Sequence, residues 1–276
     1  VQFEFPWVLG PADGRYVLRA GPGEEARAVL VLATLGAPER RRLPRRRGRQ
    51  VDPEPDPTPV PTARATVVDT ADPLADETAG REWVRRAGER EAGEAIAALN
   101  LAIHAHRLAR ADPYVIEVSG ERALVVRVGY GAGEEVAEGR WSEARELPPL
   151  GARRRRRTEV LRPQERLAAV LAGRDDPLAC EELVLRARID LDAGRHREAA
   201  LQLSLALDAA VVELGRDKRG EGMAARVAEL RERREEIASA ARAALTGAPP
   251  ADAEKAVSEA QERLEAALRA RAVSGT

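Results

Sequence analysis

Apolar residues follow two different periods along residues 181–214, EELVLRARIDLDAGRHREAALQLSLALDAAVVEL. From Ala199 onward the step is three or four. Ala199, Leu203, Ala206, Leu207, Ala210 and Leu214 form one stripe, and Leu201, Leu205 and Val212 form another on roughly the opposite side. A helix with two apolar stripes is expected to be sandwiched between neighbours. Upstream, Leu185, Ala187, Ile189 and Leu191 alternate with Arg186, Arg188, Asp190 and Asp192, the period of a half-buried strand. Helix is still the expected state there. Most of these residues are strong helix formers, only Val184 and Ile189 are β-branched, and Asp176-Pro177 offers an N-cap followed by proline at the first helical position. With a turn at Asp192-Ala193-Gly194, residues 177–214 are predicted to be a helical hairpin.

The first half of the chain has another texture. Phe3 to Leu9, Tyr16 to Arg19, Ala28 to Leu35 and Ala65 to Asp69 are predicted strands, with Gly-Pro-Asp clusters punctuating the first three. A long helix is predicted from Glu77 to Ala111, stopped by Asp112-Pro113, with an apolar face of Ile96, Leu99, Ile103 and His106 widened by Leu101 and Leu108. Gly80, Gly88 and Gly93 weaken its first half by about 1 kcal/mol each relative to alanine, which leaves a start near Glu91 as the alternative. Val115 to Val118 and Ala123 to Tyr130 then read as a hairpin turned at Ser119-Gly120-Glu121.

The expected architecture is an α+β N-terminal domain over 1–150, an antiparallel sheet with one long helix on a single face, followed by an all-α helical C-terminal region over 163–276. A linker rich in arginine and proline, 38–61, interrupts the first domain. Its alternating Pro53, Pro55, Pro57, Pro59 and Pro61 favour an extended polyproline arm. A second Arg-rich linker, 151–162, separates the domains. In the helical region Pro163 to Leu171 is a short helix preceding the hairpin, and residues 221–273 are predicted to be an antiparallel, coiled-coil-like pair. Its two narrow stripes are Met223, Val227, Leu230, Ile237, Ala241 and Ala244, then Val257, Ala260, Leu264, Ala267 and Leu268. Asp252 is the cap of the last helix, and Arg234 interrupts the seam.

Gly194, His196, Ala199, Leu203, Ala206 and Leu207 fall where a tetratricopeptide-like repeat places Gly, an aromatic, Ala, a large apolar residue and Ala-Leu, so about residues 181–214 resemble one such unit. No second copy follows at the family's spacing of about 34 residues. The resemblance implies a helical hairpin with further helices beside it rather than a superhelical groove.

Composition removes several alternatives. A chain of 276 residues can bury a core without disulfides or metal, and Cys180, its one cysteine, suits a reducing compartment, so the cytoplasm is the expected location. The opening VQFEFPWVLGPADG has no basic segment followed by an apolar one, and the longest apolar run, Val29 to Ala33, is far short of a membrane helix. Of 45 basic residues only Lys218 and Lys255 are lysine, a skew that matches GC-rich coding, and the formal net charge is −1. The arginine excess is thus weak evidence for nucleic acid.

Candidate chemistry is sparse, and no catalytic residue, metal set, cofactor or small-molecule ligand is assigned. His104 and His106 point about 200° apart on a helix, where chelation wants three- or four-residue spacing; one is expected at the sheet interface and one in solvent. Gly129-Tyr130-Gly131-Ala132-Gly133 follows a strand as a phosphate loop would, but Glu134 and Glu135 come next, so a glycine-rich turn is expected. Cys180 sits in a first helical turn beside Glu181 and Glu182 and reads as a core residue. Two arginine clusters are the residues that would touch phosphates: Arg40, Arg41, Arg42, Arg45, Arg46, Arg47 and Arg49, and Arg153, Arg154, Arg155, Arg156 and Arg157. No aromatic residue is interleaved with either. The expected function is protein interaction or scaffolding through helical-hairpin surfaces, with a protein partner or self-association. Nucleic-acid association through the arginine clusters is the alternative, and an enzyme built on the α+β half the more distant one.

Overall fold

The computed structural model describes residues 1–19, 21, 23–36, 60–151, 163–216 and 222–274. The chain separates into two compact units, Val1–Ala152 and Arg153–Thr276. Residues 38–59 of the Arg/Pro linker and both arginine clusters lie outside the described residues.

The first unit is an antiparallel six-stranded sheet in the order β2-β3-β4-β1-β5-β6. Its strands are β1 (Gln2–Phe5), β2 (Gly14–Arg19), β3 (Ala26–Leu35), β4 (Thr62–Asp69), β5 (Val125–Tyr130) and β6 (Glu143–Glu146). The side-chain period of two sorts each strand onto two faces. Phe3, Phe5, Leu30, Leu32, Ala65, Val67, Val126 and Val128 point to the helix-covered face and are buried with Ala92, Ala95, Leu99 and Ile103. The register Gln2↔Thr66, Glu4↔Arg64 and Gln2↔Arg127 gathers polar partners on the other face. There Glu4 Oε1 accepts from Arg64 at 3.0 Å and Arg127 at 2.9 Å, and Gln2 Nε2 donates to Thr66 Oγ1 at 2.9 Å. Burial alone pulls the Glu4 carboxyl upward, but the two guanidiniums more than reverse this and hold it below its ordinary value.

The single long helix is in fact two, α1 (Glu77–Arg86) and α2 (Glu89–Arg110). Asp76 caps α1 by accepting the Ala79 N–H at 2.8 Å. At the break, Arg145 of β6 donates to the Val84 carbonyl at 2.7 Å and to the Ala87 carbonyl, while the Glu91 carboxylate accepts the Gly88 N–H at 2.7 Å. The break therefore has partners on both sides, and Arg145 places positive charge at the C-terminal end of α1. Gly80 earns its place by contact: a Cβ there would meet the Tyr130 ring at 2.7 Å. Leu101 and Leu108 do not widen the apolar face of α2; they are 53% and 65% exposed.

The predicted hairpin of 115–118 with 123–130 is also corrected. Val115 to Val118 form no strand. Instead the Asn100 side chain of α2 accepts the Val118 N–H and donates to the Val118 carbonyl, each at 2.9 Å, saturating that peptide with a helix side chain. Strand β5 pairs with β1 on one side and with β6 on the other, where Tyr130 stands opposite Glu143 and β6 completes the hairpin. Between them the chain turns back over the polar face through a 3-10 turn, Gly133–Glu138, whose Val136 is buried.

The second unit contains α3 (Pro163–Leu171), α4 (Ala179–Asp192), α5 (His196–Arg216), α6 (Met223–Thr246) and α7 (Ala251–Ser274). The strand-like alternation in 183–193 is helical, with Val184 and Ala187 buried. The cap differs from expectation: Asp176 takes no part, and Glu213 of α5 accepts the Ala179 and Cys180 N–H groups at 3.1 and 3.0 Å. In α7 the helix begins at Ala251, so Asp252 lies in the first turn rather than at the cap.

The terminal pair does not stand apart as a coiled coil. Met223, Val227, Leu230, Ile237 and Ala244 of α6 and Val257, Ala260, Leu264 and Ala267 of α7 join one core with Val184 and Ala187 of α4 and Leu203, Ala206, Leu207 and Leu214 of α5. Arg234, the interruption in the stripe, reaches Asp208 of α5. Alanine explains the difference. Ala240, Ala244, Ala256, Ala260 and Ala267 are small enough for more than one neighbouring helix to approach, so an apparently narrow stripe serves several contacts.

Candidate interaction surface on the helical hairpin

Helices α4 and α5 are fastened at both ends. Near the turn, Asp190, 6% exposed, accepts from Arg195 Nε at 2.6 Å and from the Gln202 amide. At the far end the Glu213 carboxylate holds the start of α4. These contacts fix the register of the hairpin and place Leu205 along the axis between Leu185 and Ile189. On the other flank of α5, Arg197 Nε donates to the Ala244 carbonyl at 2.9 Å and Asp208 meets Arg234, so α6 lies on that side.

With neighbours on both flanks and a buried stripe inward, Leu205 and Val212 of the second stripe of α5 stay exposed among the described residues. Leu205 is 59% and Val212 50% exposed, and Leu201 is half-buried. The sandwich expected from two stripes is therefore not formed. Leu185 and Ile189 of α4, 61% and 48% exposed, lie a half-turn of helix away from buried Ala187 and open outward as well. The exposed aliphatics of the hairpin thus sit on both of its helices, where the α5 part was expected between neighbouring helices. The four-residue spacing of Leu185 and Ile189 was the legible signal of the α4 part.

The remaining sequence candidates take structural roles. Cys180 is buried; burial first, and then the Glu213 hydrogen bond and charge, push its thiol far above the usual range, so it carries no thiolate nucleophile. His104 and His106 diverge, and neither lies simply in solvent. His104 Nδ1 is 3.3 Å from Glu117 and 3.0 Å from Arg107, and His106 packs against the position of Gly10. Among the described residues no group of three or more His, Cys, Asp or Glu is arranged to hold a metal. The glycines at the end of β5 and just after it admit the returning chain: a Cβ on Gly129 would meet Trp141 at 2.5 Å, and one on Gly131 would meet Val136 at 2.8 Å. A hollow of about 490 Å³ at the α1–α2 break is lined by Trp83, Arg86 and Arg90 but also by Glu89 and Glu91, leaving no single charge preference. Among the described residues no helix is long and apolar enough to cross a membrane.

A second charged cluster, missed from sequence, lies where α3, α4 and α7 meet. Arg166 of α3 reaches Glu181 at 2.6 Å and Asp175 at 3.3 Å, and Arg271 of α7, 4% exposed, stands behind at 3.5 and 3.8 Å from the same two carboxylates. Its two arginines lie 15 and 90 residues away from Glu181, so no local pattern announces it. No family model matches the chain, and neither the curated proteins nor the solved structures contain a match.

Proposed function

We propose that the chain is a protein-interaction module whose contact surface is the outer face of the α4–α5 hairpin. The observation that supports this reading is the exposure of Leu185, Ile189, Leu205 and Val212 on a hairpin whose opposite side is fully packed. Single exposed aliphatics are ordinary, whereas four about half or more exposed on the two helices of one hairpin fit a protein contact. The partner is a protein that brings an apolar face of its own, seated against two antiparallel helices. The tetratricopeptide-like reading of about 181–214 belongs to the same proposal, since Ala199, Leu203, Ala206 and Leu207 occupy the buried side and leave the other side free.

Affinity purification from the native cell, with and without nuclease, tests it. Partners that survive nuclease and disappear when Leu185 and Leu205 are both replaced by Gln support the hairpin surface. Loss of every partner on nuclease treatment favours the nucleic-acid reading through Arg40–Arg49 and Arg153–Arg157.

A further inference from the structure

Helix α3 differs from every other helix of its unit in having no buried residue. Leu167 and Leu171 are 51% and 79% exposed, and no residue of α3 joins the hydrophobic core shared by α4 to α7. A nine-residue helix has little stability alone, so what it touches decides whether it stays formed and in place. The side chain of α3 that reaches α4 is Arg166, whose guanidinium bridges Asp175 at 3.3 Å and both oxygens of Glu181 at 2.6 and 2.7 Å.

We propose that α3 is a releasable arm, clasped to the helical unit by Arg166 and freed when that ionic clasp is weakened. Release is inexpensive because the carboxylates keep a partner. Arg271 already stands at 3.5 Å from Glu181 and 3.8 Å from Asp175, and the Glu181 carboxylate also accepts the Leu178 N–H at 3.0 Å. The two arginines thus compete for Glu181, the outer one on a detachable element and the inner one on a core helix, while Asp175 belongs to the turn that closes α3, its N–H bonded to the Ala169 carbonyl at 3.3 Å. A half-buried Glu181 without this substitute would resist losing Arg166, because an unpaired charge withdrawn from water is costly. Residues 176–178 tether the arm, and at about 3.5 Å per extended residue they let it shift by roughly 10 Å with its two leucines. The inference concerns α3 alone and goes beyond the hairpin surface proposed above.

Amide hydrogen exchange on the full chain tests the arm. In low salt the α3 amides should be protected; raising NaCl to 1 M, where the screening length shortens to about 3 Å, or substituting Arg166→Gln, should lower that protection roughly 3- to 10-fold. Amides of α4 to α7 should change less than about 2-fold under either perturbation. Arg166→Lys should fall between, since an ammonium cannot fork across two carboxylates. The proposal is overturned if α3 is unprotected in the wild type at low salt or insensitive to both salt and Arg166→Gln. It is equally overturned if Leu167→Gln with Leu171→Gln strips the protection, because apolar contacts would then be the anchor.

Discussion

Replacing Leu185 and Leu205 together by Gln separates a surface stripe from a core stripe. Full burial of a leucine is worth about 1.5–3 kcal/mol, and these two side chains remain 61% and 59% exposed, so roughly 1 kcal/mol or less of folding stability rests on each. Gln is nearly as good a helix former as Leu, so the helices themselves are little affected. The exposed remainder is available to a partner at about 1–2 kcal/mol per leucine, or roughly 30- to 1,000-fold in affinity for the pair. Leu203→Ala is the contrasting control: Leu203 is 0% exposed, and its truncation should cost about 2–5 kcal/mol. Urea unfolding followed by circular dichroism gives the stability side, and nuclease-treated affinity capture gives the binding side. A double variant that loses more than about 3 kcal/mol would mean the outer stripe is packed after all. Unchanged capture would remove the hairpin face from the reading.

Three further outcomes are expected. Gly129→Ala should destabilise by about 1–3 kcal/mol, because its Cβ would press on Trp141 and on the Glu143 carbonyl at 2.5 and 2.7 Å, whereas Gly93→Ala, with nothing within 4 Å inside α2, should stabilise by about 0.5–1 kcal/mol; chemical denaturation of both reads the contrast, and equal effects would contradict it. Arg145→Ala should cost about 1–3 kcal/mol by stripping donors from the Val84 and Ala87 carbonyls, and a variant as stable as the wild type would show that the α1 end needs no such partner. Glu265 gives a pH dependence: burial raises its carboxyl, but hydrogen bonds from Arg188 and Gln261, with the charges of Arg188 and Arg269, bring it below the ordinary 4.5. Because the unfolded chain binds the proton more readily, this contribution is present above about pH 4.5 and is lost as pH falls through the lower folded value, so Glu265→Gln should flatten the acid decline in unfolding free energy between pH 5 and 3. Parallel curves for the two proteins would contradict that.

In the first unit, legibility tracked how local each cause was. Strands β1 and β3 announced themselves differently: Phe3 and Phe5 alternate with Gln2 and Glu4, whereas Ala28 to Ala33 is an unbroken apolar run bounded by Gly- and Pro-rich turns. Strand β6 did not, since Glu143-Ala144-Arg145-Glu146 carries no large apolar residue and earns its place by pairing at a sheet edge. The helix break was half legible: Gly88 marked it, but the groups that stabilise it include Arg145, about 60 residues away along the chain. Val115 to Val118 look like a strand because their apolar pattern is real. A side chain, Asn100, took the hydrogen bonds that a neighbouring strand would have used.

In the helical unit the period placed nearly every buried residue and misjudged what lies outside them. A second stripe at Leu201, Leu205 and Val212 states only that one side of α5 is aliphatic; whether another helix covers it depends on where the chain goes next. Here α6 settles on the flank marked by Arg197 and Asp208, and α4 on the flank marked by Gln202 and Glu213, so polar contacts decide the neighbours and leave the aliphatic side open. Had burial of apolar area alone directed the packing, Leu205 and Val212 would be the first candidates for cover. They remain 59% and 50% exposed while Gln261, fully buried, spends its amide on the Val184 carbonyl and Glu265. A core that accepts an amide inside and leaves aliphatics outside is specified by hydrogen bonding and charge as much as by hydrophobicity. Its open face is therefore the place where a second protein would recover burial that the fold itself does not use.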